Sequence, residues 1–283
     1  MTASDWVSRA RGVVPSSESA ARILNLLGKP DTDNGAIVKA IRCDGPLTAK
    51  LLQVCNSPFA GLKSRVATVD QAILLLGHRE VFQLVMAIAY SAAMAAPIPG
   101  YAVAEKEFWK QSIATAAAAE SITDCGIWHG EGAEFAFTAG LLQDVGELVI
   151  GRAITPDVVA QMRSRVETGT VSRIEAERET LGTDHAEIGA CLLKSWNLPE
   201  NLVEAVAHHH QPVLEPFPKL SIVTHLADGL AHLAGGAPGW GSYAVRMSGQ
   251  AVDKLGLDAT HIETMVISVR NAIERLEKFT SGI

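Results

Sequence analysis

The stretch Gly140-Leu141-Leu142-Gln143-Asp144-Val145-Gly146-Glu147-Leu148 decides how this chain is read. An aliphatic helical run carries a polar pair, Gln143-Asp144, toward what should be the interior. Gly146 follows at once, and the helical pattern continues from Val145 to Ala153. A buried amide beside a buried carboxylate is costly unless both find hydrogen-bond partners or hold a cation. The stretch is therefore either a helix corner fixed by polar contacts or one wall of a metal site.

Outward from it, both directions read as helix. Upstream, Glu105 to Asp124 carries Phe108, Trp109, Ile113, the run Ala116 to Ala119 and Ile122, and its alanine face permits close helix–helix approach. Pro97, Pro99 and Gly100 mark a hinge before it. The first hundred residues read as five helices. One begins at Ser16 or Ser17 and ends at Gly28 and Pro30, and the next runs from Gly35 to Arg42 behind Asp33 or Asn34. Leu47 to Cys55 follows Pro46, a Thr68…Gln71 capping box opens the fourth, and Val81 to Ala96 is long and apolar.

Downstream helices are expected over Pro156 to Glu167, Ser172 to Gly182, Ala186 to Trp196 (capped by Asp184) and Glu200 to His209. Leu220 to Leu233, a short helix near Ala251–Leu255 and a long one from Ala259 to Phe279 follow, with loops at Pro212–Pro218 and Gly235–Ser242. No segment alternates convincingly with period two. The fold class is all-α, a multi-helix bundle. The expected organisation is a loosely held lead-in over 1–15, an N-terminal helical lobe over 16–100, a second helical lobe over 101–235, and a C-terminal loop and helices over 236–283 that pack on the domain.

Of the 283 residues, 48% are hydrophobic but only 5% aromatic, so the core is built largely from alanine and leucine. The net charge is −7 with no Lys/Arg cluster, which argues against direct binding to nucleic acid or an anionic membrane. Val81 to Pro97 is short for a membrane span and rich in alanine, so it reads as a buried core helix. Met1 to Val14 has no apolar core of signal-peptide length. Cys43, Cys55, Cys125 and Cys191 form no CxxC pair and read as buried reduced thiols. These features together fit a cytoplasmic protein.

The polar residues with chemistry to offer are Asp144, His185, His209, His210 and Asp228, on separate predicted helices. Imidazoles and carboxylates of this kind hold Zn, Mn or Fe, and a helical bundle can bring them together. Each also has a structural reading. Asp144 can cap the following helix, and His185 can sit solvated in a first turn. Successive helical side chains point about 100° apart, so one of His208, His209 and His210 should face outward, and His208 is the choice. His225 and Asp228 can be a local pair. Patterns for a serine nucleophile, a P-loop, a dinucleotide-binding loop or an HExxH zinc site are absent.

Several pieces in order resemble the HDOD domain, the HD-related output domain of bacterial signalling proteins, from about Ser16 to Ala234. They are Ile41-Arg42-Cys43-Asp44-Gly45-Pro46-Leu47-Thr48 through Asn56-Ser57-Pro58, then Thr68-Val69-Asp70-Gln71-Ala72-Ile73 and Leu76-Gly77. Phe108-Trp109, the opening stretch, His185-Ala186-Glu187-Ile188-Gly189, Trp196-Asn197-Leu198-Pro199, His209-His210-Gln211-Pro212 and Ala227-Asp228 complete the series.

The family is similar to HD and HD-GYP phosphohydrolases, which hold metal with a helical His, a His-Asp doublet, further histidines and a late Asp. On this chain those positions fall at Gln111, Gln143-Asp144, His185, His209-His210 and Asp228. Two expected imidazoles are thus amides, which are poorer ligands, and no Gly-Tyr-Pro triplet is present. The resemblance implies an HD-like second lobe and a non-catalytic regulatory output module with a protein partner. The remaining Asp144, His185, His209, His210 and Asp228 would then be a vestigial metal set. It implies no bound cofactor; the alternative is a divalent ion (Mn, Fe, Zn or Mg) serving a metal-dependent phosphohydrolase of cyclic dinucleotides or nucleotides. A third reading is a nucleotide or other anion bound without turnover by the His cluster.

Overall fold

The computed structural model describes residues 1–9, 18–27, 34–57, 62, 64–130, 132–169, 171–212, 219–235, 239–240 and 247–280. Among these the chain is all-α, with a lone bridge between Ile98 and Val103 in place of any sheet. The helices are α1 (Ala3–Arg9), α2 (Glu18–Leu27), α3 (Asn34–Arg42), α4 (Gly45–Cys55), α5 (Val69–Leu76) and α6 (His78–Ala95). Then come α7 (Glu107–Asp124), α8 (Ala136–Leu142), α9 (Val145–Ala153), α10 (Pro156–Glu167) and α11 (Arg173–Leu181). The rest are α12 (His185–Ser195), α13 (Glu200–His208), α14 (Lys219–Leu233), α15 (Gly249–Leu255) and α16 (Ala259–Thr280).

Side-chain caps set many of the boundaries. Asp44, Thr68, Ser172 and Asp184 each accept the backbone N–H three residues on, at 3.0, 3.2, 3.3 and 2.9 Å. Each such cap contributes about 1 kcal/mol. Ser172 and Glu175 close a reciprocal capping box, whereas Gln71 reaches back to Ala67 N rather than to Thr68. Gly77, at φ 86°, ends α5 and turns directly into α6. The expected start at Ser16 or Ser17, the stops at Gly28 and Pro30, the Asp33 cap and the loop residues 213–218 lie outside the described residues.

The centre of the molecule is α7, buried on nearly all sides from Phe108 to Thr123. It packs against α6, α8, α14 and α16. Small residues make this possible: a Cβ on Gly140 would stand 2.6 Å from the Thr115 carbonyl oxygen, so α8 lies on α7 at backbone contact. α9 crosses α12 as closely, with Gly146 placed so that a Cβ would meet the His185 carbonyl at 2.0 Å. These two crossings fix the corner between α8 and α9, and with it Gln143 and Asp144, against α7 and α12.

Two expectations are corrected at the edges. The lead-in is not loose throughout: Ala3–Arg9 is helical, Trp6 is buried, and α1 packs on α9 and α12. The cysteines are free, but only Cys55 is fully buried, while Cys43 and Cys125 are exposed. α16 packs along α7 and α14, with Ser121 Oγ donating to Ser268 Oγ at 3.1 Å.

Candidate functional site

The corner at Gln143-Asp144 is two residues long. Asp144, at φ −97° and ψ 13°, precedes α9 without capping it through its side chain. Its carboxylate turns inward instead, to meet His185 from the start of α12 and His209 and His210 from the end of α13. One ligand atom from each of Asp144, His185, His209 and His210 lies within 4.8 Å of the others. His185, expected as a solvated first-turn residue, is wholly buried, while His208 stands outside the group.

A carboxylate orients the first imidazole. Glu177 on α11 accepts from His185 Nδ1 at 2.6 Å and from His185 N at 2.8 Å, and its other oxygen accepts from the Tyr101 hydroxyl at 2.7 Å. Nδ1 therefore carries a proton and Nε2 faces the site. Burial opposes charge on His185, but the Glu177 carboxylate overrides it and, with Asp144, pushes the imidazolium up to about 10. His185 Nε2 then donates to His210 Nε2 at 2.8 Å. Burial and the neighbouring histidines hold His210 well below the usual imidazole range, so it accepts. Burial works against ionised Asp144 too, yet hydrogen bonds from the histidines and the Arg173 charge keep it well below the usual carboxylate range.

His209 differs. Its Nδ1 donates to the Val206 carbonyl at 2.8 Å, which turns Nε2 toward Asp144 Oδ1, 3.6 Å away. His185 Nε2 stands 3.3 Å from the same oxygen, so three nitrogens of the site, Arg173's at 3.7 Å among them, converge on Asp144 Oδ1 without filling the space a cation would take. With three imidazole nitrogens and one carboxylate oxygen, the four residues fit a single divalent ion of the Zn, Mn or Fe type.

The other half of the site is closed. Gln143 Nε2 donates to Asp228 Oδ1 at 2.8 Å and to Asp144 Oδ2 at 3.2 Å, so one amide bridges two carboxylates. Gln111 Nε2 adds a third bond, to Asp228 Oδ1 at 3.2 Å. His232 Nδ1 stands 3.3 Å from the same oxygen. Asp228 is outside the four-residue cluster, and its Oδ1 is already held by two amide donors beside His232. Nor does His225 pair with Asp228; it binds the His209 carbonyl at 2.8 Å and the Ser248 N–H at 3.0 Å.

Residues 14–212 match the sequence profile of the HDOD domain. The chain belongs to the HDOD domain family. The profile stops short of Asp228, which the resemblance drawn from motifs had included. An uncharacterised protein of Treponema pallidum (strain Nichols) is 28% identical over 199 residues, 66% of this chain. The chain spans about a third of that relative, 36% of its length. A Shewanella amazonensis SB2B protein provisionally described as a phosphohydrolase is 25% identical, with a TM-score of 0.69 over 96% of this chain and 97% of that one. A Marinobacter aquaeolei VT8 protein provisionally described as a signal transduction protein shares the fold at 24% identity. Its TM-score is 0.75 over 94% of this chain and 59% of that one. No helix among the described residues is long and apolar enough to cross a membrane.

The HDOD site also contains charges that the motif reading missed. Arg173, its side chain 12% exposed, lies between Glu147, with which it forms an ion pair, and Asp144, 3.7 Å away. Burial pushes the Glu147 carboxyl up to about 7 against the pull of this guanidinium. Arg173 and Glu177 lie four apart on α11 with buried Ala176 between them and buried Leu181 beyond. Charges on the inward stripe of a helix are the signal that could have found them.

Proposed function

We propose that this HDOD chain is a non-catalytic regulatory module of a signalling pathway, acting by binding on a scaffold of phosphohydrolase type. One observation carries the reading: the Gln143 amide donates to both Asp144 and Asp228. A hydrolase of this shape needs those carboxylates for metal. Here neutral N–H groups bond one oxygen of Asp228 and one of Asp144, and Arg173 supplies positive charge beside Glu147 and Asp144. Glutamine offers a cation only a neutral carbonyl oxygen, a weak substitute for imidazole.

The four-residue cluster supports a second reading, a one-ion phosphohydrolase. A divalent ion bound by Asp144, His185, His209 and His210 would supply Lewis-acid polarisation of a phosphoryl oxygen. Glu177 would fix His185 Nε2 toward it, and His185 would have to give up its shared proton first. An anionic ligand is the poorest match. Gln143 Oε1 and Gln111 Oε1 are buried acceptors without a partner and Asp144 adds a carboxylate, so a phosphate would bring further acceptors against them.

Two measurements on tag-free protein separate these readings: metal content by mass spectrometry, and hydrolysis of cyclic dinucleotides and nucleotides with added Mn. The regulatory reading expects no turnover. Turnover that Asp144→Ala abolishes overturns it in favour of the one-ion enzyme.

A further inference from the structure

A cleft of 490 Å³ lies away from the histidines, between α3, α5, α6, the C-terminal half of α7 and the turn leading into α8. The two places share α7: Gln111 reaches the histidine site, while Glu120 lines the cleft nine residues, or about 14 Å, further along. They share α8 as well, with Phe137 in the cleft and Gln143 just past its other end.

The floor is apolar, from Ile37, Ile41, Ile73, Phe82 and Phe137. The wall is polar and acidic. Arg79 is its one guanidinium and is already engaged by Glu120 at 2.7 Å and Asp124 at 2.6 Å. Gln83 donates to Glu120 as well. Glu134 also lines the cleft, is exposed, and has no hydrogen bond or ion pair among the described residues. Among the described lining residues three carboxylates face one arginine, with His78 and His129 beside them, so this part of the rim is net negative. Beside the cleft on α5, Leu74 follows Ile73 and is 83% exposed. An apolar floor edged by carboxylates matches the apolar face and basic flank of a helix laid into a groove.

We propose that this cleft docks an amphipathic helix of a partner protein whose apolar stripe is flanked by a lysine or arginine. The stripe covers Ile73, Phe82, Phe137 and Leu74. The basic residue pairs with Glu134 and the Asp124 side of the rim. Apolar anchors at i, i+3 or i+4, and i+7 would enter the groove, and the acidic rim sets direction and preference. The proposal stands whether or not the histidine cluster holds an ion.

A displayed library of helical peptides about 16 residues (roughly four turns) long, with fixed apolar spacing and Lys, Arg, Glu or Gln on the flanks, is selected on the full chain. The best peptide and its Lys/Arg→Glu twin are then measured by fluorescence anisotropy at low and high salt. Selected peptides should carry a basic flank and bind at least about tenfold tighter than the acidic twin at low salt, with the gap narrowing as salt screens it. Glu134→Lys and Leu74→Asp, both at exposed positions, should each weaken binding about tenfold without changing the melting temperature. Enrichment of acidic peptides, affinity indifferent to both substitutions, or uptake of a small apolar dye with no helical binder would each overturn the proposal.

Discussion

Glu177→Gln tests the electrostatic logic of the site with the least change of shape. The substitution keeps the hydrogen-bonding outline beside Tyr101 and His185 and removes the charge that holds the His185 proton. His185 titrates at 6.5 when unperturbed and is pushed up to about 10 in the fold. A raised imidazole stabilises the native state fully below its unfolded pKa, and that stability is lost as pH rises through the folded value. At 1.36 kcal/mol per unit the full effect is about 5 kcal/mol at low pH, about 4 kcal/mol at pH 7 and less than about 1 kcal/mol at pH 10. Without the Glu177 charge only Asp144 opposes burial, and the His185 imidazolium loses most of its support.

The variant should therefore lose about 3–4 kcal/mol at pH 7, in line with breaking other buried ion pairs, and less than about 1 kcal/mol at pH 10. Urea denaturation of both proteins in chelator, at pH 6.5, 8 and 10, measures this. A loss below about 1 kcal/mol at pH 7, or an equal loss at pH 7 and pH 10, would refute the reasoning.

Restoring imidazoles with Gln111→His plus Gln143→His should raise Mn or Fe content and give a metal-dependent thermal shift larger than the wild type's; unchanged metal content would mean that the amides are not what limits binding. Gly146→Ala should cost roughly 3 kcal/mol and lower the melting temperature measured by circular dichroism. Its Cβ would stand 2.0 Å from the His185 carbonyl, and a neutral result would contradict the close crossing of α9 and α12. Trp240→Ala should cost about 3 kcal/mol by removing a large buried ring. Trp240 stacks on Tyr101 at 5.5 Å and donates from Nε1 to the Gly100 carbonyl at 3.0 Å, so calorimetry should show a clear drop in melting temperature.

The helices were readable because their punctuation is local. Asp44-Gly45-Pro46, Thr68, Ser172 and Asp184 act within three residues of themselves, so sequence spacing is enough to place them. Asp144, His185, His209 and His210 could be named by residue type and motif, but their convergence depends on two glycine crossings that bring backbones into contact across long sequence separations. Arg173 and Glu177 were harder. A helix reading Arg-Ile-Glu-Ala-Glu-Arg-Glu-Thr-Leu looks solvated by composition, and only its buried stripe shows that two of its charges point inward. Asp228 enters the ligand set by residue type and by the family's late-Asp position. Its capture by two amides and His232 is a property of three helices together.

The Gln143 bridge also bears on how this protein meets a changing environment. A fold whose central carboxylates wait for an ion is complete only when the cell has that ion to spare. Here the amide hydrogens are supplied by the chain itself and arrive with every copy made. The junction of α7, α8, α9 and α14 can thus assemble to the same shape under manganese or iron scarcity as under abundance. Such independence suits a component whose output should follow its regulator rather than the nutritional state of the cell.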